Sequence, residues 1–175
     1  RMSADTLLIT ANVLSAIAGT IAAYAFLYAA IVTRRQLRIM HAQHVREAAD
    51  KAFEEFDSDE VRAARAFLFN TDLPEDVNEL TSQQLKAVEK VGLVIERMGF
   101  LIETGLIDPP DLVLSRLCGA ILRCDTKIGP YLEQERVRRN DPDHFLYYEK
   151  LIGRAWEYWR SKHGDEIPSS FKRQL

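Results

Sequence analysis

The sequence predicts an all-α protein, with a single N-terminal transmembrane helix continuing into a cytosolic bundle of four to five helices. Two observations carry that reading. From Thr6 to Val32 the chain runs 27 residues without Asp, Glu, Lys, Arg or His, and about 20 apolar residues suffice to cross the hydrocarbon of a bilayer. Beyond Thr33, apolar residues recur at steps of three and four, and no segment alternates like a strand.

The uncharged run is interrupted only by short polar side chains such as Thr10, Asn12, Ser15 and Thr20. Their hydroxyls bond back to the preceding helical turn, so they are compatible with insertion. Tyr24 and Tyr28 lie toward the charged end, where amphipathic rings settle at headgroup level. A cleaved signal peptide would start with a basic region and carry a shorter apolar core; here Asp5 precedes the run and Arg34, Arg35 and Arg38 follow it. A buried central helix of a soluble bundle would need the remaining helices to cover its every face. Arg34, Arg35 and Arg38 are read as lipid-headgroup contacts, and the positive-inside rule places the N-terminus outside and the rest in the cytoplasm. Ala11, Ser15, Gly19 and Ala23 are spaced by four, the small-residue pattern that lets membrane helices approach closely. The expected division is therefore 1–33 anchor, 34–163 helical bundle and 164–175 flexible tail.

The helical pattern continues after the anchor without Gly or Pro. Leu37, Met40, His44, Ala48, Ala52 and Phe56 form a thin apolar stripe, so that one helix of about 50 residues, on the order of 75 Å, is the simplest picture. Asp57-Ser58-Asp59-Glu60 reads as a start signal with Asp57 as cap. It opens a helix with Val61, Ala64, Phe67 and Leu68 on one face, ending near Asn70. A loop with Pro74 and one turn at Glu75–Leu80 follows. Thr81 and Gln84 make a cleaner capping box. The helix they open carries Leu85, Val88, Val91, Ile95, Met98 and Ile102, and Gly92 and Gly99 suggest close approach of a neighbouring helix. Gly105 stops it. Asp108 or Asp111 is expected to cap the next helix, and Gly129-Pro130 to kink or end it, although Tyr131 to Arg139 reads as helical again. Asp141 is expected to cap the last helix, with Phe145, Tyr148, Leu151, Ile152, Ala155 and Trp159 inward.

Net charge is −3 with signs intermixed, which excludes the basic stripe of a nucleic-acid binder. Cys118 and Cys124, six apart, match neither a redox pair nor a zinc spacing and are read as reduced packing residues. His41 and His44 share a helix face but lack further ligands. The Glu-x-x-His of di-iron bundles does not occur, and Asp141-x-x-His144 is the nearest relative. No phosphate loop, nucleophile elbow or His-Glu-x-x-His is present. No catalytic, metal or cofactor residue is assigned. Trp156 and Tyr158 cannot both point inward with Trp159, so they form a candidate partner surface. Arg62, Arg65, Arg116, Arg123 and Arg136, with Arg154, fall within or beside apolar helix faces. They are candidates for cross-bundle ion pairs with Glu96, Glu103, Asp125 or Glu149, or for a recess that receives an anionic ligand.

Ala64-Arg65-Ala66-Phe67-Leu68-Phe69, Gly99-Phe100-Leu101 leading to Gly105-Leu106-Ile107, Gly129-Pro130-Tyr131 with Arg136, and Tyr148-Glu149-Lys150-Leu151 occur in that order. In this the chain resembles small bacterial membrane-anchored all-helical proteins catalogued as a domain of unknown function. It departs from them at Cys124-Asp125-Thr126, where similar proteins carry Trp. The resemblance implies a transmembrane helix plus helical domain in a bacterial inner (plasma) membrane, and it implies no reaction. The functional expectation is a membrane-tethered interaction or scaffold module, meeting the lipid bilayer and either a protein partner or further copies of itself. The alternative is a membrane-associated enzyme or anionic-ligand sensor built on the arginines.

Overall fold

The computed structural model describes residues 4–164 with Glu166 and Pro168; the side chains of residues 4–14 and 16–18 lie outside that description. Its helices are α1 (Ala4–Phe56), α2 (Asp59–Asn70), α3 (Ser82–Glu103), α4 (Asp111–Arg139) and α5 (Leu146–His163), with one 3-10 turn at Val77–Glu79. None of the described residues lies in a strand, so the all-α class is borne out. The chain divides into two units, Arg1–Gln43 and His44–Leu175.

In the first unit the large apolar side chains of α1 are uncovered: Ile21, Tyr24, Phe26, Leu27, Tyr28 and Ile31 are all more than half exposed. Among the described residues no helix is long and apolar enough to cross a membrane. The uncharged run from Thr6 falls partly on side chains outside those residues.

The second unit holds the core. Its α1 portion buries Val45, Ala49, Ala52 and Phe56, and this corrects the expected stripe. Leu37 and Met40 are exposed, as is His44. Successive steps of four drift around a helix of 3.6 residues per turn, whereas the steps of four, three and four from Val45 to Phe56 stay on one face. The cap of α2 is Ser58, whose Oγ accepts from the Val61 amide at 3.4 Å, and not Asp57. Thr81 and Gln84 form the expected reciprocal box: Thr81 Oγ1 accepts from the Gln84 amide at 3.3 Å, and Gln84 Oε1 from the Thr81 amide at 2.8 Å.

Helix α3 packs against α5, α2 and α4. Its Val91 and Ile95 are fully buried with Ile121, Leu122 and Ile128 of α4 and Leu151 of α5. Each such side chain contributes roughly 1.5–3 kcal/mol by leaving water. The expected close approaches at the α3 glycines are present. A Cβ on Gly92 would lie 3.1 Å from the Phe145 ring, and one on Gly99 only 2.1 Å from the Tyr147 carbonyl oxygen.

Three expected boundaries are corrected. Neither Asp108 nor Asp111 caps α4: Pro110 occupies the cap position without a side-chain bond, and Asp111 is the first helical residue. Gly129-Pro130 does not end α4, which continues to Arg139. An internal proline costs about 3 kcal/mol, and here Ile128, Tyr131 and Leu132 are buried on both sides of it. Asn140-Asp141-Pro142 does not start α5. Asn140 closes α4 in the left-handed conformation (φ 49°), and α5 begins only at Leu146, after Phe145 with φ 58°.

Candidate functional site

The arginines of α2 and α4 assemble in one place. Arg62 and Arg65, three residues apart, share a face of α2 with Ala66 and Phe69. Opposite them α4 presents Ala120, Arg123 and Cys124, and the cleft between has a volume of about 260 Å³. Asp57, released from capping, organises its rim. Its Oδ1 lies 3.4 Å from Arg65 Nη2 and its Oδ2 3.9 Å from Arg116 Nη2, while its carbonyl accepts from Arg62 Nη2 at 2.8 Å. Arg62 also lies 3.8 Å from the exposed Asp59.

Aromatic rings hold these cations. Arg65 sits 4.0 Å above the Phe56 ring, Arg116 4.7 Å above Phe53, and Arg123 5.4 Å above Phe69. Such stacking orients a guanidinium without consuming its in-plane donors. Arg65 is 16% exposed, and its Nε is buried with no hydrogen-bond partner among the described residues. An N–H in that state costs about 1–3 kcal/mol. Among the described residues Arg123 has no carboxylate at ion-pair distance. Cys124 adds no negative charge, because burial, only partly opposed by Arg65 and Arg123, pushes its thiol up to about 12. Burial likewise pushes Cys118 up to about 11, and Cys118 contacts the Ala155 carbonyl at 3.2 Å. Neither thiol is a ready nucleophile.

The remaining candidates stand apart from the cleft. Arg136 belongs to the corner where α4 meets α5. Its Nε donates to the His144 carbonyl at 3.1 Å, its Nη2 to the Phe145 carbonyl at 3.4 Å and its Nη1 to Glu149 at 2.8 Å. Arg154 pairs with Glu103. The other two expected carboxylates serve Tyr148: Glu96 accepts its amide, and buried Asp125 accepts its hydroxyl at 3.0 Å. Trp156 and Tyr158 are half-buried and pack against the core. Arg34, Arg35 and Arg38 are exposed, as are Ser15, Gly19 and Ala23; the side chain of Ala11 lies outside the described residues. His41 is exposed, and His44 lies 3.7 Å from Glu47 with both exposed. Among the described residues no three metal-ligating side chains come together.

Two features escaped the sequence. Glu135 is 3% exposed and is bound by Arg138 at 2.7 Å and Arg139 at 3.0 Å. Burial works to raise its pKa, but the bonds and charges of these arginines outweigh it and hold the carboxyl below its ordinary value. The i,i+3 and i,i+4 spacing was the available signal. The second is a groove of about 870 Å³ with Val61, Ala64, Phe67 and Leu93 among its walls, rimmed by the Glu60–Lys90 and Glu55–Arg97 pairs. Leu93 is 54% exposed there.

Fold and cleft together define a small helical-bundle domain with an arginine-lined recess. The chain belongs to the family described as Domain of unknown function (DUF4760), whose model matches residues 12–156. The resemblance read from the Ala64–Phe69 and Tyr148–Leu151 segments is thereby borne out at the level of that domain. No curated protein and no solved structure matches the chain.

Proposed function

We propose that this chain is a membrane-tethered helical module that acts by binding a protein partner or a second copy of itself, without catalysing a reaction. The observation that carries the tether is the uncovered run of Ile21, Tyr24, Phe26, Leu27, Tyr28 and Ile31, within 27 uncharged residues. Water does not tolerate so continuous an apolar surface on a monomer, and lipid does. Arg34, Arg35 and Arg38 then meet anionic headgroups, with the N-terminus outside and the helical bundle in the cytoplasm of a plasma membrane. Ala11, Ser15, Gly19 and Ala23 give a second membrane helix a low-relief face to pack on; a Cβ on Gly19 would meet nothing within 4 Å.

Alkaline extraction of membranes, followed by external protease treatment of intact cells, tests this reading. The chain should stay in the pellet and the segment beyond Arg34 should resist digestion. Release into the supernatant would overturn the tether, and digestion from outside would overturn the orientation.

A further inference from the structure

We propose that the cleft between α2 and α4 lined by Arg62, Arg65 and Arg123 binds the phosphate group of a small ligand. This does not depend on the membrane reading. Arg62, Arg65, Arg116 and Arg123 bring four positive charges to one face, and among the described residues the carboxylates within ion-pair distance of them are Asp57 and Asp59. Like charges held together in a partly desolvated cleft repel one another, and an anion with several acceptors relieves that repulsion. Two features leave this positive charge incompletely compensated. Among the described residues the Arg65 Nε is buried without a partner, and Arg123 is held by the Phe69 ring and not by a carboxylate.

A phosphate suits this cleft better than a carboxylate. Its tetrahedral oxygens offer acceptors in several directions and so can meet guanidiniums on opposing helices at once, whereas a carboxylate presents its two oxygens in a single plane. The volume of about 260 Å³, walled in part by Ala66, Phe69 and Ala120, leaves room for carbon atoms beyond the phosphorus. The Cys124 thiol in the wall stays protonated and neutral, so it does not repel the anion.

The test uses the full chain in phosphatidylcholine nanodiscs. Thermal unfolding is followed at constant ionic strength while inorganic phosphate or phenyl phosphate replaces chloride. A ligand that binds only the folded state raises the midpoint with its concentration. The midpoint should rise and saturate, and phenyl phosphate should act at lower concentration than inorganic phosphate. Arg123→Met removes a cation with no ion-pair partner among the described residues, relieving repulsion while giving up the Phe69 contact, so the response of each protein to phosphate is read against its own midpoint in chloride. The variant's apparent affinity for either probe should fall by about tenfold or more, the loss of one charge-assisted bond. A parallel arm adds phosphatidic acid to the discs. A rise there that Arg123→Met abolishes, with no response to soluble probes, assigns the same phosphate chemistry to a lipid headgroup. Equal midpoints in phosphate and chloride with no effect of phosphatidic acid would overturn the site. An equal response of wild type and Arg123→Met would also overturn it, because that would be general salting-out of unfolding.

Discussion

Arg65 and Arg136 look alike in the sequence, each an arginine embedded beside apolar helix positions, and the structure treats them in opposite ways. At the α4–α5 corner Arg136 is tied into the architecture: two backbone carbonyls and Glu149 take its donors. That corner needs them. Phe145 at the cap position of α5 has no side-chain cap and a left-handed backbone, and the Tyr148 amide is capped by Glu96 of α3, a cap supplied from another helix. At the α2–α4 cleft Arg65 makes one long contact with Asp57, rests on Phe56 and leaves Nε without an acceptor. An arginine whose donors are consumed by backbone is architectural, and Arg65 is not held in that way.

The largest expected effect lies in the corner. Gly99→Ala places a Cβ 2.1 Å from the Tyr147 carbonyl oxygen, and backbone cannot rotate away as a side chain does. Destabilisation of about 3 kcal/mol or more is expected, measured by urea unfolding of the full chain in detergent. A loss under about 1 kcal/mol would show that the corner is not rigid.

Next come the two arginines themselves. Arg136→Met strands the His144 and Phe145 carbonyls and should cost about 2–3 kcal/mol. Arg65→Met keeps the unbranched apolar stem, gives up a 3.4 Å contact and a cation–π contact of about 0.5–1 kcal/mol, and removes a buried donor that has no partner among the described residues. Its stability should stay within about 1 kcal/mol of wild type. Equal losses for the two variants in the same urea series would erase the distinction between the regions.

The smallest effect is one of pH, and it sharpens the corner. Glu135, beside Arg136 on α4, has its pKa held below the ordinary value. A carboxylate with a depressed folded-state pKa stabilises the fold fully above its unfolded-state value, and that contribution is lost as pH falls through the folded-state value. Unfolding midpoints between pH 6 and about 3 should therefore fall less steeply in Glu135→Gln than in wild type. Parallel slopes would show that Arg138 and Arg139 do not tie Glu135 to stability.

Period and punctuation were legible in the sequence. The α3 stripe, its Thr81–Gln84 box and the close approaches at Gly92 and Gly99 follow from residues that interact within a turn or that lack a side chain. The caps of α4 and α5 were not legible, because local rules look for a cap in the residues just ahead, whereas the α5 amide is served by Glu96, 52 residues away. The arginines of the cleft were all singled out, yet their partners were sought among distant carboxylates when Asp57, at the end of α1, was the one that mattered. At Pro130 the helical pattern of Tyr131 to Arg139 outweighed the local penalty, with Ile128, Tyr131 and Leu132 buried around it.

The turn after Pro130 has one more consequence. Tyr131 donates its hydroxyl to the Pro74 carbonyl, Gln134 Oε1 accepts from the Val77 amide at 2.8 Å, and Gln134 Nε2 donates to the Glu75 carbonyl at 2.9 Å. The connection from α2 to α3 is thereby pinned to a helix that comes much later in the chain. Its backbone cannot open to solvent without first letting go of α4, so it shares that helix's opening free energy and not the low one usual for surface loops. During synthesis, Pro74 to Val77 emerges well before Tyr131 and Gln134. This loop therefore takes its final form only after most of the bundle has been made.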